Sequence, residues 1–96
     1  MWVPTGTQRG TRRMALTFTV TVRQVDGWHA RPATEFANLV AASGQQVSVA
    51  KAGTAAVRGD SVLSLMMLGA KCGETLEIAI DGSQPETLAA ALKSLF

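Results

Sequence analysis

The amino-acid sequence predicts an α+β fold: a four-stranded antiparallel sheet covered on one face by three helices, in the order βαββαβα. Three observations carry this. Leu16-Thr17-Phe18-Thr19-Val20-Thr21-Val22-Arg23 and Thr75-Leu76-Glu77-Ile78-Ala79-Ile80 alternate apolar and polar residues, the period of a strand with one buried face. Ala33, Phe36, Ala37 and Val40 recur at the spacing of one helical face, as do Leu88, Leu92 and Phe96. Glycine and proline mark the joins, at Gly44, Gly53, Gly59, Gly82 and Pro85. Helices gathered on one side of an antiparallel sheet make two layers around a single core.

The elements follow in order. The first strand, residues 16–23, turns Leu16, Phe18, Val20 and Val22 inward. Residues 24–27 form a loop, and a helix spans about residues 30–42, because Pro32 is tolerated only in a first helical turn. Ser43-Gly44 stops that helix. Val47 to Lys51 and Ala55 to Arg58 are short strands around a turn at Ala52-Gly53-Thr54. Ser61 or Asp60 caps a shorter helix that runs to about Leu68. Gly69 to Gly73 lead to the fourth strand, Asp81-Gly82 turn the chain, and Pro85 opens the last helix.

Composition bounds the possible functions. Ninety-six residues suffice for one domain, and 47% apolar with 17% charged residues marks a globular chain. The single Cys72 excludes an internal disulfide and fits a reducing cytosol. One histidine and one cysteine make a structural zinc site improbable, and no metal or cofactor is expected. No apolar run approaches the roughly 18 residues needed to span a bilayer. The net charge of +2 comes from residues 1–13, where Arg9, Arg12 and Arg13 meet no acid. From Met14 onward there are six basic and seven acidic residues, so the basic excess is no nucleic-acid footprint. Residues 1–13 read as a basic disordered leader, an expression remnant, or sequence upstream of a true start at Met14; the folded domain is expected over 14–96.

The only histidine, His29, falls at or beside the N-cap of the first predicted helix. There the free backbone N–H groups of Ala30 and Arg31 and the positive end of the dipole favour an anion. Arg31 adds a planar guanidinium fork suited to phosphate, whereas Pro32 offers no N–H. Imidazole is substantially neutral and nucleophilic near pH 7. Together these suggest a histidine that carries a phosphoryl group. The plain alternatives are a solvated or capping histidine and an exposed first-turn arginine. Ser61 has a sufficient local explanation as a helix N-cap. Asp26 either hydrogen-bonds the loop or repels an incoming phosphoryl group, Trp28 is a packing anchor, and Cys72 is a small loop residue.

Gly27-Trp28-His29-Ala30-Arg31-Pro32-Ala33 resembles the active-site segment of the HPr family, the histidine-containing phosphocarriers of the bacterial phosphoenolpyruvate-dependent phosphotransferase system. It matches the family's Gly-apolar-His-Ala-Arg-Pro-Ala pattern at every position, with Trp28 a bulky choice for the apolar one. Downstream, Ser61-Val62-Leu63-Ser64-Leu65-Met66-Met67-Leu68-Gly69 is similar to the segment holding the family's regulatory serine and second helix. With Gly82 and the alanine-rich last helix, the resemblance covers residues 16–96.

The resemblance implies an open-faced two-layer β-sandwich and a cytoplasmic, monomeric phosphocarrier without cofactor or metal, not a free-standing small-molecule enzyme. His29 would take a phosphoryl group on Nδ1 from phosphorylated enzyme I, ultimately from phosphoenolpyruvate. It would pass that group to an enzyme IIA-type acceptor in sugar uptake. Arg31 would stabilise the phosphoryl group beside the N–H groups of Ala30 and Arg31. Thr34, Leu63 and Met66 would dock partners, and Ser61 would be the position a serine kinase modifies in some relatives. A lysine commonly precedes that serine; Asp60 stands there here. The alternative function is a regulatory paralogue that binds targets according to its phosphorylation state. The segment 60–68 and the Leu88-Ala89-Ala90-Ala91-Leu92 ending look closer to the nitrogen-related branch of the family. A nucleic-acid module is disfavoured, since no basic stripe follows Met14.

Overall fold

The computed structural model describes residues 14–96, so the expectation for residues 1–13 lies outside it. Strand β1 (Met14–Thr21) is followed by helix α1 (Ala30–Ser43), strands β2 (Gln46–Lys51) and β3 (Val57–Arg58), helix α2 (Val62–Met67), strand β4 (Thr75–Gly82) and helix α3 (Pro85–Lys93). The four strands form one sheet in the order β1-β4-β2-β3, every neighbour antiparallel. The predicted α+β architecture is therefore the observed one.

Register explains why the sheet has one apolar face. Leu16 pairs with Ile80, which pairs with Val47, and Phe18 pairs with Ile78, which pairs with Val49. Side chains alternate along each strand, so these rows point to the same side. On that side Phe36, Ala37 and Val40 of α1, Leu65 of α2 and Leu88 and Leu92 of α3 close the core. The opposite face carries Thr17, Ala79 and Ser48 in one row and Thr19, Glu77 and Ala50 in the next.

Several boundaries differ from the sequence expectation. The ladder of β1 begins at Met14 and ends at Thr21. Val22 remains buried, but its N–H donates to the Glu74 carbonyl at 2.9 Å and its own carbonyl accepts from Gly73 N–H at 2.8 Å, which ties it to a loop. Strand β3 is only Val57–Arg58, because Ala55 and Ala56 are exposed and have too little apolar surface to hold a strand against the sheet. Strand β4 runs on through Asp81 and Gly82, because Asp81 is paired on both sides, to Ala15 and to Gln46. The turn therefore falls at Ser83 and Gln84, where the Gln45 side-chain amide donates to the Gln84 carbonyl and accepts from its N–H, both at 3.0 Å.

Candidate functional site

The loop before α1 is shaped by a turn and a close approach. Gly27 N–H donates to the Gln24 carbonyl at 2.9 Å, and Gly27 has a φ of 82°. A Cβ on Gly27 would meet the Ala70 carbonyl oxygen at 3.0 Å, so glycine serves both the left-handed backbone and the narrow gap. Trp28 N–H then donates to that same Ala70 carbonyl at 2.9 Å. Its indole is driven into the core, 4% exposed, with the Phe36 ring edge-on at 5.2 Å.

Burying Trp28 leaves the next residue outside. His29 is exposed and occupies the N-cap of α1 with an extended backbone, φ −105° and ψ −164°. Its carbonyl accepts the first helical bond, from Ala33 N–H at 3.1 Å, while its side chain makes no cap bond. The imidazole is thus not spent on the helix end. Ala30 and Arg31 are exposed in the first turn, where their N–H groups have no intrahelical acceptor. No acidic residue lies in that turn, so the positive end of the dipole is not neutralised locally. Thr34 is exposed one turn on, its hydroxyl donating to the Ala30 carbonyl at 2.7 Å. His29, Ala30, Arg31 and Thr34 therefore share one end of α1.

Helix α2 packs against α1 and contributes a second group. Leu65 and, just beyond the helix, Leu68 are buried, which turns Leu63 (69% exposed), Met66 (41%) and Met67 (76%) outward. Ser61 is the N-cap, its hydroxyl oxygen accepting from Ser64 N–H at 3.2 Å. Of the two capping candidates, Ser61 takes the role. Asp60 instead forms a two-pronged pair with Arg58, at 3.0 Å to Nε and 2.8 Å to Nη2. That hydrogen bonding to Arg58 holds the Asp60 carboxyl below the usual carboxylate range and raises the guanidinium in turn.

Two exposed apolar residues escaped the sequence reading. Met67 and Val25 (88% exposed) are more open than Met66. The signal for Met67 was present: with Leu65 and Leu68 inward at i and i+3, a six-residue helix must turn residues 63, 66 and 67 away. Val25 sits at the tip of a turn, where no periodicity applies. Cys72 is exposed with a free thiol. Among the described residues, no helix is long and apolar enough to cross a membrane.

Comparison with known proteins agrees with this architecture. The family model described as the PTS HPr component phosphorylation site matches residues 16–96. Phosphocarrier protein HPr of Streptomyces coelicolor is 40% identical over 76 residues, covering 79% of this chain and 78% of that protein. The crystal structure of a phosphocarrier protein HPr from Bacillus anthracis superposes with a TM-score of 0.77 at 26% identity, over 84% of this chain and 95% of that one. HPr-C-His from Thermoanaerobacter tengcongensis superposes with a TM-score of 0.76 at 28% identity, over 83% and 89%. With the sheet order, the helices on one face and a family match across nearly all of the described residues, the chain belongs to the HPr family of phosphocarrier proteins.

Proposed function

We propose that this chain relays a phosphoryl group between proteins through His29. The donor is phosphorylated enzyme I, charged from phosphoenolpyruvate, and the acceptor is a histidine on an enzyme IIA-type protein of a sugar-uptake system in the cytoplasm. The observation that carries this reading is the exposed His29 at the N-cap of α1, its side chain free of any capping bond and Arg31 two residues on.

In the proposed reaction the lone pair of His29 Nδ1 attacks phosphorus as the donor's N–P bond breaks in line. Such transfer needs positioning and charge neutralisation more than proton shuttling. The Arg31 guanidinium and the N–H groups of Ala30 and Arg31 supply the neutralisation. Thr34, Leu63, Met66 and, added from the structure, Met67 form the surface that partners cover. Flexible methionines suit a face that must fit donor and acceptor in turn. We assign Ser61 to the helix cap; a serine kinase acting there would be a separate, regulatory modification.

The same methionine-bearing face favours a second reading, a regulatory paralogue whose binding to target proteins follows its phosphorylation state. One experiment separates the two. Full-length protein is incubated with labelled phosphoenolpyruvate, magnesium and enzyme I, then mixed with an enzyme IIA-type acceptor. Label that passes through this chain to the acceptor supports the relay. Label that enters and stays, while binding to targets changes, supports the regulator. A chain that takes no label contradicts both.

A further inference from the structure

The loop that carries His29 is held from two sides. Backbone bonds tie it to residues 69–74, through Trp28 to Ala70 at 2.9 Å and through Val22 to Gly73 at 2.8 Å. On the other side, the last two residues of the sequence hold it. Gln24 Nε2 donates to the Leu95 carbonyl at 2.9 Å, across a separation of 71 residues. The Phe96 ring lies 5.7 Å from that of Trp28 and 6.4 Å from that of Phe36, while Trp28 and Phe36 are 5.2 Å apart. Three rings therefore form a closed triangle joining the loop, α1 and the segment after α3.

We infer that Phe96 and Gln24 are positioning residues for His29. The His29 backbone is extended, so the α1 ladder constrains it only from its C-terminal side. From its N-terminal side it is fixed by Trp28, whose indole has Phe36 and Phe96 as aromatic neighbours. Deleting the Phe96 ring opens one side of that seat while leaving the Trp28–Ala70 bond available. Reacting atoms displaced by about 1 Å lose up to roughly 100-fold in rate. The clamp thus sets the efficiency of transfer without touching the phosphoryl group.

The inference rests on the phosphocarrier reading for the reaction served, while its geometry can be tested separately. Phe96→Ala, Phe96→Leu and Gln24→Ala are compared with the parent in the full chain, well below the melting temperature. Transfer from phosphorylated enzyme I is followed at saturating donor, and amide hydrogen exchange at Trp28, Ala33 and Ile78. Phe96→Ala is expected to slow the saturated rate by about tenfold with unchanged half-saturation. Exchange should accelerate at Trp28 and Ala33 and stay constant at Ile78, Phe96→Leu should recover most of the rate, and Gln24→Ala should repeat the effect more weakly. An unchanged saturated rate overturns the inference, as does a loss of protection at Ile78 equal to that at Trp28, which marks a general loss of structure. If the parent takes no label, the phosphocarrier reading fails; faster exchange at Trp28 and Ala33 with Ile78 constant in Phe96→Ala then still supports the clamp, and unchanged exchange contradicts it.

Discussion

The indole of Trp28 meets the ring of Phe36 edge-on, with centroids 5.2 Å apart and planes at 90°. This contact joins the residue before the candidate nucleophile to the middle of α1, so the core itself determines where His29 emerges. Removing the indole should therefore be felt in stability as well as in the loop. Trp28→Ala is expected to cost about 3–5 kcal/mol in denaturant unfolding. Trp28→Phe should cost clearly less, because the buried indole Nε1 has no hydrogen-bond partner among the described residues to lose. Equal losses for the two variants would show that the indole nitrogen has a partner of its own.

Ser61 caps α2 through its hydroxyl, which accepts from Ser64 N–H. Ser61→Ala should destabilise the protein by about 0.5–2 kcal/mol, and Ser61→Asp, which restores a capping oxygen, by less. Thermal or urea unfolding reads both. Full stability in Ser61→Ala would contradict the capping assignment.

The Arg58–Asp60 pair gives a pH signature with a defined sign. Hydrogen bonding to Arg58 holds the folded-state pKa of Asp60 below the usual carboxylate range, so the pair's contribution is present above the unfolded-state pKa and lost as pH falls through the folded one. Asp60→Asn should melt slightly below the parent near neutral pH, and the gap should close in acid. Both groups are exposed, so the gap is small and shrinks with salt. A gap that persists in acid strong enough to protonate the Asp60 carboxyl would mean that the substitution acts through something other than this charge.

The outward residues of α2 should matter for partners and not for folding. Leu63→Ser and Met67→Ser remove side chains with little burial, so stability should change by less than about 0.5 kcal/mol. Each should weaken binding to enzyme I by about tenfold if it lies at the centre of the interface. Titration calorimetry with unphosphorylated enzyme I checks this, and unchanged affinity for both variants would place the docking face elsewhere.

The fold was legible where periodicity was strong. Leu76, Ile78 and Ile80 alternate cleanly, and they form the inner face of β4. Ala33, Phe36, Ala37 and Val40 mark the buried stripe of α1, and Gly44 closes that helix in the left-handed conformation. Legibility failed where tertiary pairing overrode local signals. Asp81-Gly82 reads as a turn, yet two flanking strands keep it extended. Likewise Phe96 reads as part of a helical stripe, but α3 ends at Lys93 and the ring joins Trp28 instead. At the site, the position of His29 followed from Pro32 and the helix start. The two clamps on its loop did not, because Ala70 and Leu95 act through backbone carbonyls, which no side-chain pattern reveals.

The central claim, that His29 is the phosphoacceptor, is tested most directly by locating the label. Full-length protein and His29→Ala are incubated with labelled phosphoenolpyruvate, magnesium and enzyme I, and the product is mapped by mass spectrometry and by its stability in acid and base. The parent should carry one acid-labile, base-stable phosphoryl group on His29. The His29→Ala variant, which loses only an exposed side chain without a cap bond, should fold like the parent and carry none. Label retained in folded His29→Ala, or found on another residue of the parent, would contradict the account.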